Sequence, residues 1–307
     1  MGRRQKNRGR PLNGILLLDK PLDYSSNEAL QDIKRMYNAQ KAGHTGSLDP
    51  RATGLLPICF GEATKISAFL LNSDKSYLTE CQLGIKTETG DTEGDIIEQR
   101  DVPDLTLEQV NEVVQSFVGE IQQMPPMYSA LKKEGVPLYK LAREGVEVER
   151  ELRTVNIYSI TGVALEGDKL SFTVDCSKGT YIRTLAEDIG EKLGCGAHVT
   201  VLRRGDVGIF RLEDAVSFDQ IKQLRDEKAF AAMDELIMPM EEALAEWPDL
   251  QLTNDAAYYL RQGQPVLVPK APTEGWVRLF EKEGGFIGVG QIQDDGLVAP
   301  RRMMNVS

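Results

Sequence analysis

Gly43-His44-Thr45-Gly46-Ser47-Leu48-Asp49-Pro50-Arg51-Ala52-Thr53-Gly54-Leu55-Leu56-Pro57 is the stretch on which the reading of this chain turns. Three glycines and two prolines punctuate it, and His44, Thr45, Ser47 and Thr53 flank a single aspartate, Asp49. It is too punctuated for a helix and too polar for a core strand, and reads as a loop. Glycines let a backbone approach a ligand closely, and Pro50 fixes the chain just after the carboxylate. Asp49 is therefore the candidate for a preset catalytic carboxylate. The competing reading is a structural turn whose aspartate caps its own backbone.

Working outward, Gly14 to Leu18 reads as a short buried strand ending at Asp19-Lys20-Pro21. Ser25 with Glu28 is a capping-box pattern ahead of a stripe at helical spacing, Ala29, Leu30, Ile33, Met36 and Tyr37. Thr64 to Leu71 is expected helical and Tyr77 to Gly84 a strand. The acids of Glu88 to Asp95 lack the spacing of a calcium loop and read as a solvated loop. Thr106 with Gln109 opens another helix. From Met124 to Arg150 the periodicity breaks down, as in an inserted flap. Leu170, Phe172, Val174 and Cys176 alternate with polar residues, which is the pattern of a half-buried strand. Leu185, Ala186, Ile189 and Leu193 form a helical stripe stopped by Gly194. Val266 to Val268, Val277 to Phe280 and Phe286 to Ile292 read as short strands of a small β domain.

Composition bounds the function. The 307 residues are 41% hydrophobic, enough for a packed core. No apolar run reaches the length of a membrane span, and no apolar signal core opens the chain. Cys59, Cys81, Cys176 and Cys195 are scattered without a CxxC, which fits a reducing cytoplasm. With His44 and His198 the only histidines, a zinc cluster has little material. There is no Walker loop and no dinucleotide fingerprint. The net charge of -11 is unevenly spread, since residues 213–249 hold eleven acids against three bases. Arg3, Arg4, Lys6, Arg8 and Arg10 form a basic start with no acid among the first ten residues. Such an arm can meet phosphates or remain a solvated end, so charge alone leaves RNA binding undecided.

Several blocks together resemble the TruB family of tRNA pseudouridine synthases. The Gly43–Pro57 loop is similar to that family's catalytic motif. Asn13-Gly14-Ile15-Leu16-Leu17-Leu18-Asp19-Lys20-Pro21 followed by Ser25-Ser26-Asn27 resembles its opening motif. Asp74-Lys75-Ser76-Tyr77, Met127-Tyr128-Ser129-Ala130-Leu131-Lys132 and Cys176-Ser177-Lys178-Gly179-Thr180-Tyr181-Ile182-Arg183-Thr184-Leu185 follow in family order. Gly194 to Val199 and Leu202-Arg203-Arg204 complete the set. Arg51 departs from the pattern, standing where the family usually has an apolar residue.

The resemblance implies an α+β pseudouridine synthase fold with a mixed, largely antiparallel central sheet flanked by helices and loops. It also implies a small C-terminal β-barrel-like PUA-type domain. The expected division is a flexible basic arm over 1–11, a catalytic domain over 12–249 with an RNA-gripping insertion at about 124–152, and the PUA-type domain over 250–307. The implied reaction is isomerisation of uridine to pseudouridine at position 55 in the T loop of tRNA, after extrusion of the base. Asp49, Tyr77 and Arg183 are the expected catalytic residues, with Arg183 the ion-pair partner of Asp49. Lys20, His44, Tyr181 and Leu202 are expected to bind substrate. No cofactor, metal, membrane or obligatory protein partner is expected, and the chain reads as a cytoplasmic monomer that binds the tRNA T-arm.

Two rivals belong to other classes. A noncatalytic RNA-binding or tRNA-folding protein would need the basic surfaces and C-terminal module but not Asp49. A hydrolase built on Ser47, His44 and Asp49 would crowd its triad into one turn, with no GxSxG elbow.

Overall fold

Continuous apolar text makes β1 (Gly14–Lys20) a strand buried on both faces, with Ile15, Leu16 and Leu18 fully covered in the computed structural model, which describes residues 9–282 and 284–305. The Ser25 hydroxyl accepts from the Glu28 N–H, and the Glu28 carboxylate accepts from the Ser25 N–H. That box starts α1 (Ser26–Met36), whose Ala29, Leu30 and Ile33 face the core. After β2 (Ala42–His44) and β3 (Ala52–Phe60) come a 3-10 turn, α2 (Ser67–Leu71) and β4 (Lys75–Leu83). A short hairpin, β5 (Ile85–Thr87) and β6 (Ile96–Gln99), leads to α3 (Leu107–Gln115), opened by the expected Thr106–Gln109 box. Then β7 (Gly119–Gln123) ends where the insertion begins. The insertion holds a small hairpin, β8 (Lys132–Lys133) and β9 (Val136–Pro137), and α4 (Leu138–Arg143). The hairpin β10 (Arg153–Glu166) and β11 (Lys169–Cys176) delivers α5 (Ile182–Lys192), and β12 (Ala197–Val207) follows. Short β13 (Phe210–Arg211), β14 (Val216–Ser217), α6 (Phe218–Asp226) and α7 (Phe230–Glu235) close this part.

One ten-stranded sheet runs β14-β1-β3-β12-β4-β11-β10-β7, with β13 on β12 and β2 on β3. Only β1–β14 and β3–β12 are parallel, so the sheet is mixed and largely antiparallel, as expected. Strand β12 comes late in the chain yet lies between β3 and β4. The main core packs α1, α3, α5 and α6 on this sheet.

A second sheet of four strands, β15 (Asp249–Leu252), β16 (Trp276–Glu281), β17 (Gly285–Ile292) and β18 (Val298–Met303), carries α8 (Asn254–Arg261). Its Phe286 and Val289 join Ile15, Leu17, Leu55 and Cys59 of β1 and β3 in one apolar cluster. Phe69 of α2 sits edge-on to Trp247 and Trp276, at 4.8 Å from each.

Three local readings are corrected. The punctuated stretch 43–57 is a loop only between β2 and β3, because β3 is paired on both sides, by β1 along Gly54–Phe60 and by β12 at Ala52–Gly54 and β2 at Ile58–Phe60, and its apolar run from Leu55 buries as a strand. Val266 to Val268 is no strand; Val266 makes an isolated bridge to Val298. Of the basic arm, residues 1–8 lie outside the described residues, while Arg10 is anchored by hydrogen bonds to Asn38 and Gln40 and an ion pair with Asp234. Among the described residues no helix is long and apolar enough to cross a membrane.

Gly54 shows how tightly β3 and β12 meet. Its φ is +99°, and a Cβ there would lie 2.3 Å from the Arg204 carbonyl oxygen and 2.8 Å from the Arg204 nitrogen. Backbone cannot yield as a flexible side chain can. Gly54→Ala should therefore cost about 1–3 kcal/mol or more in urea unfolding.

Candidate active site

The loop between β2 and β3 hangs on few atoms. Ser26 in the first turn of α1 bonds both the N–H and the carbonyl of Leu48. The Ala52 N–H returns to the Asp49 carbonyl at 3.0 Å, and the Asp23 N–H reaches the Pro50 carbonyl at 3.0 Å. Lys20, fully buried at the end of β1, donates to the carbonyls of Pro21 and Tyr24 at 2.8 and 2.6 Å, with Pro50 at 3.5 Å. Burial brings its amine down to about 8, partly offset by the Asp49 carboxylate. Lys20, expected to bind substrate, is not among the residues lining the cleft and braces the turn beneath Asp49.

Arg183 reaches the same point from α5. Its Nε stands 3.0 Å from Asp49 Oδ2, as the expected ion pair requires. One terminal nitrogen donates to the Thr89 carbonyl at 2.6 Å and lies 3.6 Å from Asp91; the other donates to the Tyr128 carbonyl at 2.7 Å. The Asp91 side chain is only 6% exposed, like that of Arg183. The acidic loop is thus not uniformly solvated: Asp91 turns inward, caps Glu93 and Thr89, and shares the guanidinium. Asp49 itself is 40% exposed where it lines the cleft. Crowding by the cleft walls pushes its carboxyl above the usual aspartate range, against the pull of Arg183; Asp91 adds to the rise.

The cleft of about 440 Å³ is lined by Asp49, Tyr77, Tyr181, Arg183 and Leu202, together with Leu71, Lys75, Ser129 and Arg204. Tyr77 on β4 is buried, which raises its phenol and keeps it protonated at neutral pH. Arg204, 1% exposed, spans from β12 to the Leu55 and Gly46 carbonyls and steadies the loop from below. Burial also brings Lys75 down to about 8, and Arg204 reinforces this. His44 does not line the cleft. It ends β2, its Nδ1 accepts the Gly46 N–H at 3.4 Å, and burial lowers its pKa so that the ring is neutral. Arg51 turns outward to Asp23 in an exposed pair at 2.8 Å, leaving the loop's packing intact.

Sequence reasoning thus found Asp49, Tyr77, Tyr181, Arg183 and Leu202 together but missed Asp91, Lys75 and Arg204. Lys75 and Arg204 sit inside the quoted blocks, which was their signal; Asp91 had none. Among the described residues no group of histidines, cysteines and carboxylates could hold a metal ion.

Comparison with known proteins bears on this arrangement. The family model for the TruB family pseudouridylate synthase N-terminal domain matches residues 34–182. The tRNA pseudouridylate synthase B C-terminal domain matches 183–245, and the pseudouridine synthase II TruB C-terminal model matches 248–304. A tRNA pseudouridine synthase B from Nitrosococcus oceani is 53% identical over 304 residues, covering 99% of this chain and 98% of the relative. One from Stutzerimonas stutzeri is 53% identical over 295 residues, with 96% of each covered. A chain in a Cbf5-Nop10-Gar1 complex superposes with a TM-score of 0.69 at 28% identity, covering 91% of this chain and 78% of that one. A chain in an H/ACA RNP bound to a substrate RNA shares the fold with a TM-score of 0.72 at 24% identity, over 99% and 92% of the two.

Proposed function

Because this chain belongs to the TruB family of pseudouridylate synthases and acts on tRNA, we propose that it converts uridine 55 of the T loop to pseudouridine. The observation that carries the reading is the Asp49–Arg183 pair at 3.0 Å, set in a cleft walled by two tyrosines and a leucine. The reaction breaks the C–N glycosidic bond, rotates the uracil and joins C5 to the ribose; the C5 proton leaves and N1 gains one. Nothing is oxidised and no group enters from outside.

Asp49 presents its carboxylate to the ribose or the uracil ring. Attack at C1′, addition to the ring and abstraction of a ribose proton are all within the chemistry of one carboxylate. Arg183 holds that carboxylate in a fixed orientation. Tyr77 stacks on the base; a protonated phenol suits stacking and positioning better than proton removal. Tyr181 and Leu202 close the pocket around the ring. A looped uridine must be extruded to reach Asp49, at roughly a few kcal/mol of unstacking. The neutral His44 imidazole, just outside the cleft, suits filling the vacated stack. In this reading residues 12–249 form the catalytic unit, and the four-stranded C-terminal sheet is a PUA-type RNA-binding module over 250–307.

The test is tritium release from a T-arm stem-loop labelled at uracil C5, without metal or cofactor, with the product position mapped. Release and pseudouridine at position 55 are expected. Binding without release would point instead to the noncatalytic RNA-binding rival.

A pH dependence follows from the state of Asp49. The reaction needs the ionised carboxylate, whose pKa is raised above 3.8, so activity is complete above the raised value and is lost as pH falls through it. The acid limb of kcat/KM should have its midpoint above 3.8. A limb at or below the ordinary aspartate value would contradict this.

A further inference from the structure

Two buried polar side chains outside the cleft each clasp one loop residue by both of its backbone groups. Ser26 is 3% exposed; its Oγ accepts the Leu48 N–H at 2.7 Å and donates to the Leu48 carbonyl at 3.0 Å. Gln123, the last residue of β7, is 1% exposed. Its Oε1 accepts the Tyr181 N–H at 3.0 Å, and its Nε2 donates to the Tyr181 carbonyl at 3.3 Å. Leu48 directly precedes Asp49, and Tyr181 lies two residues before Arg183.

These segments cannot draw on a sheet ladder at those points. Leu48 has no backbone partner among the described residues, and an unpaired buried backbone group is costly. In each case one side chain supplies a donor and an acceptor and removes the local freedom of the segment that carries a member of the pair. Gln123 also stands where the insertion leaves the sheet, and the insertion returns the Tyr128 carbonyl to Arg183.

We propose that Ser26 and Gln123 are positioning residues that jointly set the geometry of the Asp49–Arg183 pair. This rests on the functional reading above. Neither side chain touches the reacting atoms; each fixes the backbone that presents them. Misplacement of a reacting group by about 1 Å costs on the order of 100-fold in rate.

The experiment measures single-turnover tritium release from the C5-labelled T-arm stem-loop, RNA affinity by filter binding, and thermal unfolding. It compares wild type, Asp49→Asn, Ser26→Ala, Ser26→Thr and Gln123→Met. Ser26→Ala and Gln123→Met should slow the single-turnover step about 10- to 100-fold with Kd changed less than about threefold. Their acid limb should move to higher pH, because a loosened Arg183 pulls Asp49 down less. Ser26→Thr, which keeps the hydroxyl, should recover most of the rate. Gln123→Met nearly conserves volume and carries the test if Ser26→Ala does not fold. Folded variants with rates within about threefold of wild type, or with losses wholly in Kd, would overturn the positioning role. Turnover by Asp49→Asn, or none by wild type, would instead strike the functional reading itself.

Discussion

Asp49→Asn should bind the T-arm within about threefold of wild type and turn it over roughly 10⁴-fold more slowly. The amide is isosteric, and at 40% exposure the side chain carries little of the fold. Its oxygen can still accept from Arg183, so the cleft keeps its shape. What is lost is the negative charge and the nucleophilic or basic lone pair, which nothing else in the cleft replaces. Tyr77 is a protonated phenol, and Lys75 and Arg204 are cations or hydrogen-bond donors. Single-turnover measurement with excess enzyme separates the two quantities. Turnover within tenfold of wild type would remove Asp49 from the chemistry.

Arg183→Gln should damage stability and turnover together. The guanidinium is 6% exposed and serves two carboxylates and two carbonyls. Asp91, also 6% exposed, would be left as a buried charge without its partner, which costs about 3–5 kcal/mol. In a domain of this size each kcal/mol lowers Tm by roughly 2–4 °C. The acid limb should also move to higher pH, because Arg183 is the chief group pulling the raised Asp49 down. Adding Asp91→Asn to Arg183→Gln should restore part of the Tm, since it removes the stranded charge. No restoration would mean that the Arg183–Asp91 contact at 3.6 Å contributes little.

Local chemistry made much of the fold legible. The boxes at Ser25 and Thr106, the alternation of β11 and the stripe of α5 depend on residues a few positions apart, and each formed where its pattern pointed. The extent of β3 was obscured because glycine and proline punctuate a run that two neighbouring strands nevertheless pair. Asp49 and Arg183 could be joined only through motif resemblance, since no periodicity links positions so far apart. Asp91 was illegible for a different reason. It sits among acids that do face water, and what buries it is the main-chain bond from Val199 to Gly90 and the arrival of Arg183. The three carbonyls beneath the loop that Lys20 reaches were not legible, because a sequence does not say which face of a turn a lysine supports.

The late insertion of β12 between β3 and β4 has a consequence for the newborn polypeptide. A chain that has left the ribosome only through α3 already carries Asp49 and Tyr77, but it has neither the guanidinium that orients the aspartate nor the strand that joins the two edges. Those edges stay separate until residues up to Val207 have been synthesised. Pairings of such long sequence span form slowly. On the proposed reading, a growing chain therefore lacks a complete site until its last central strand can join the two edges.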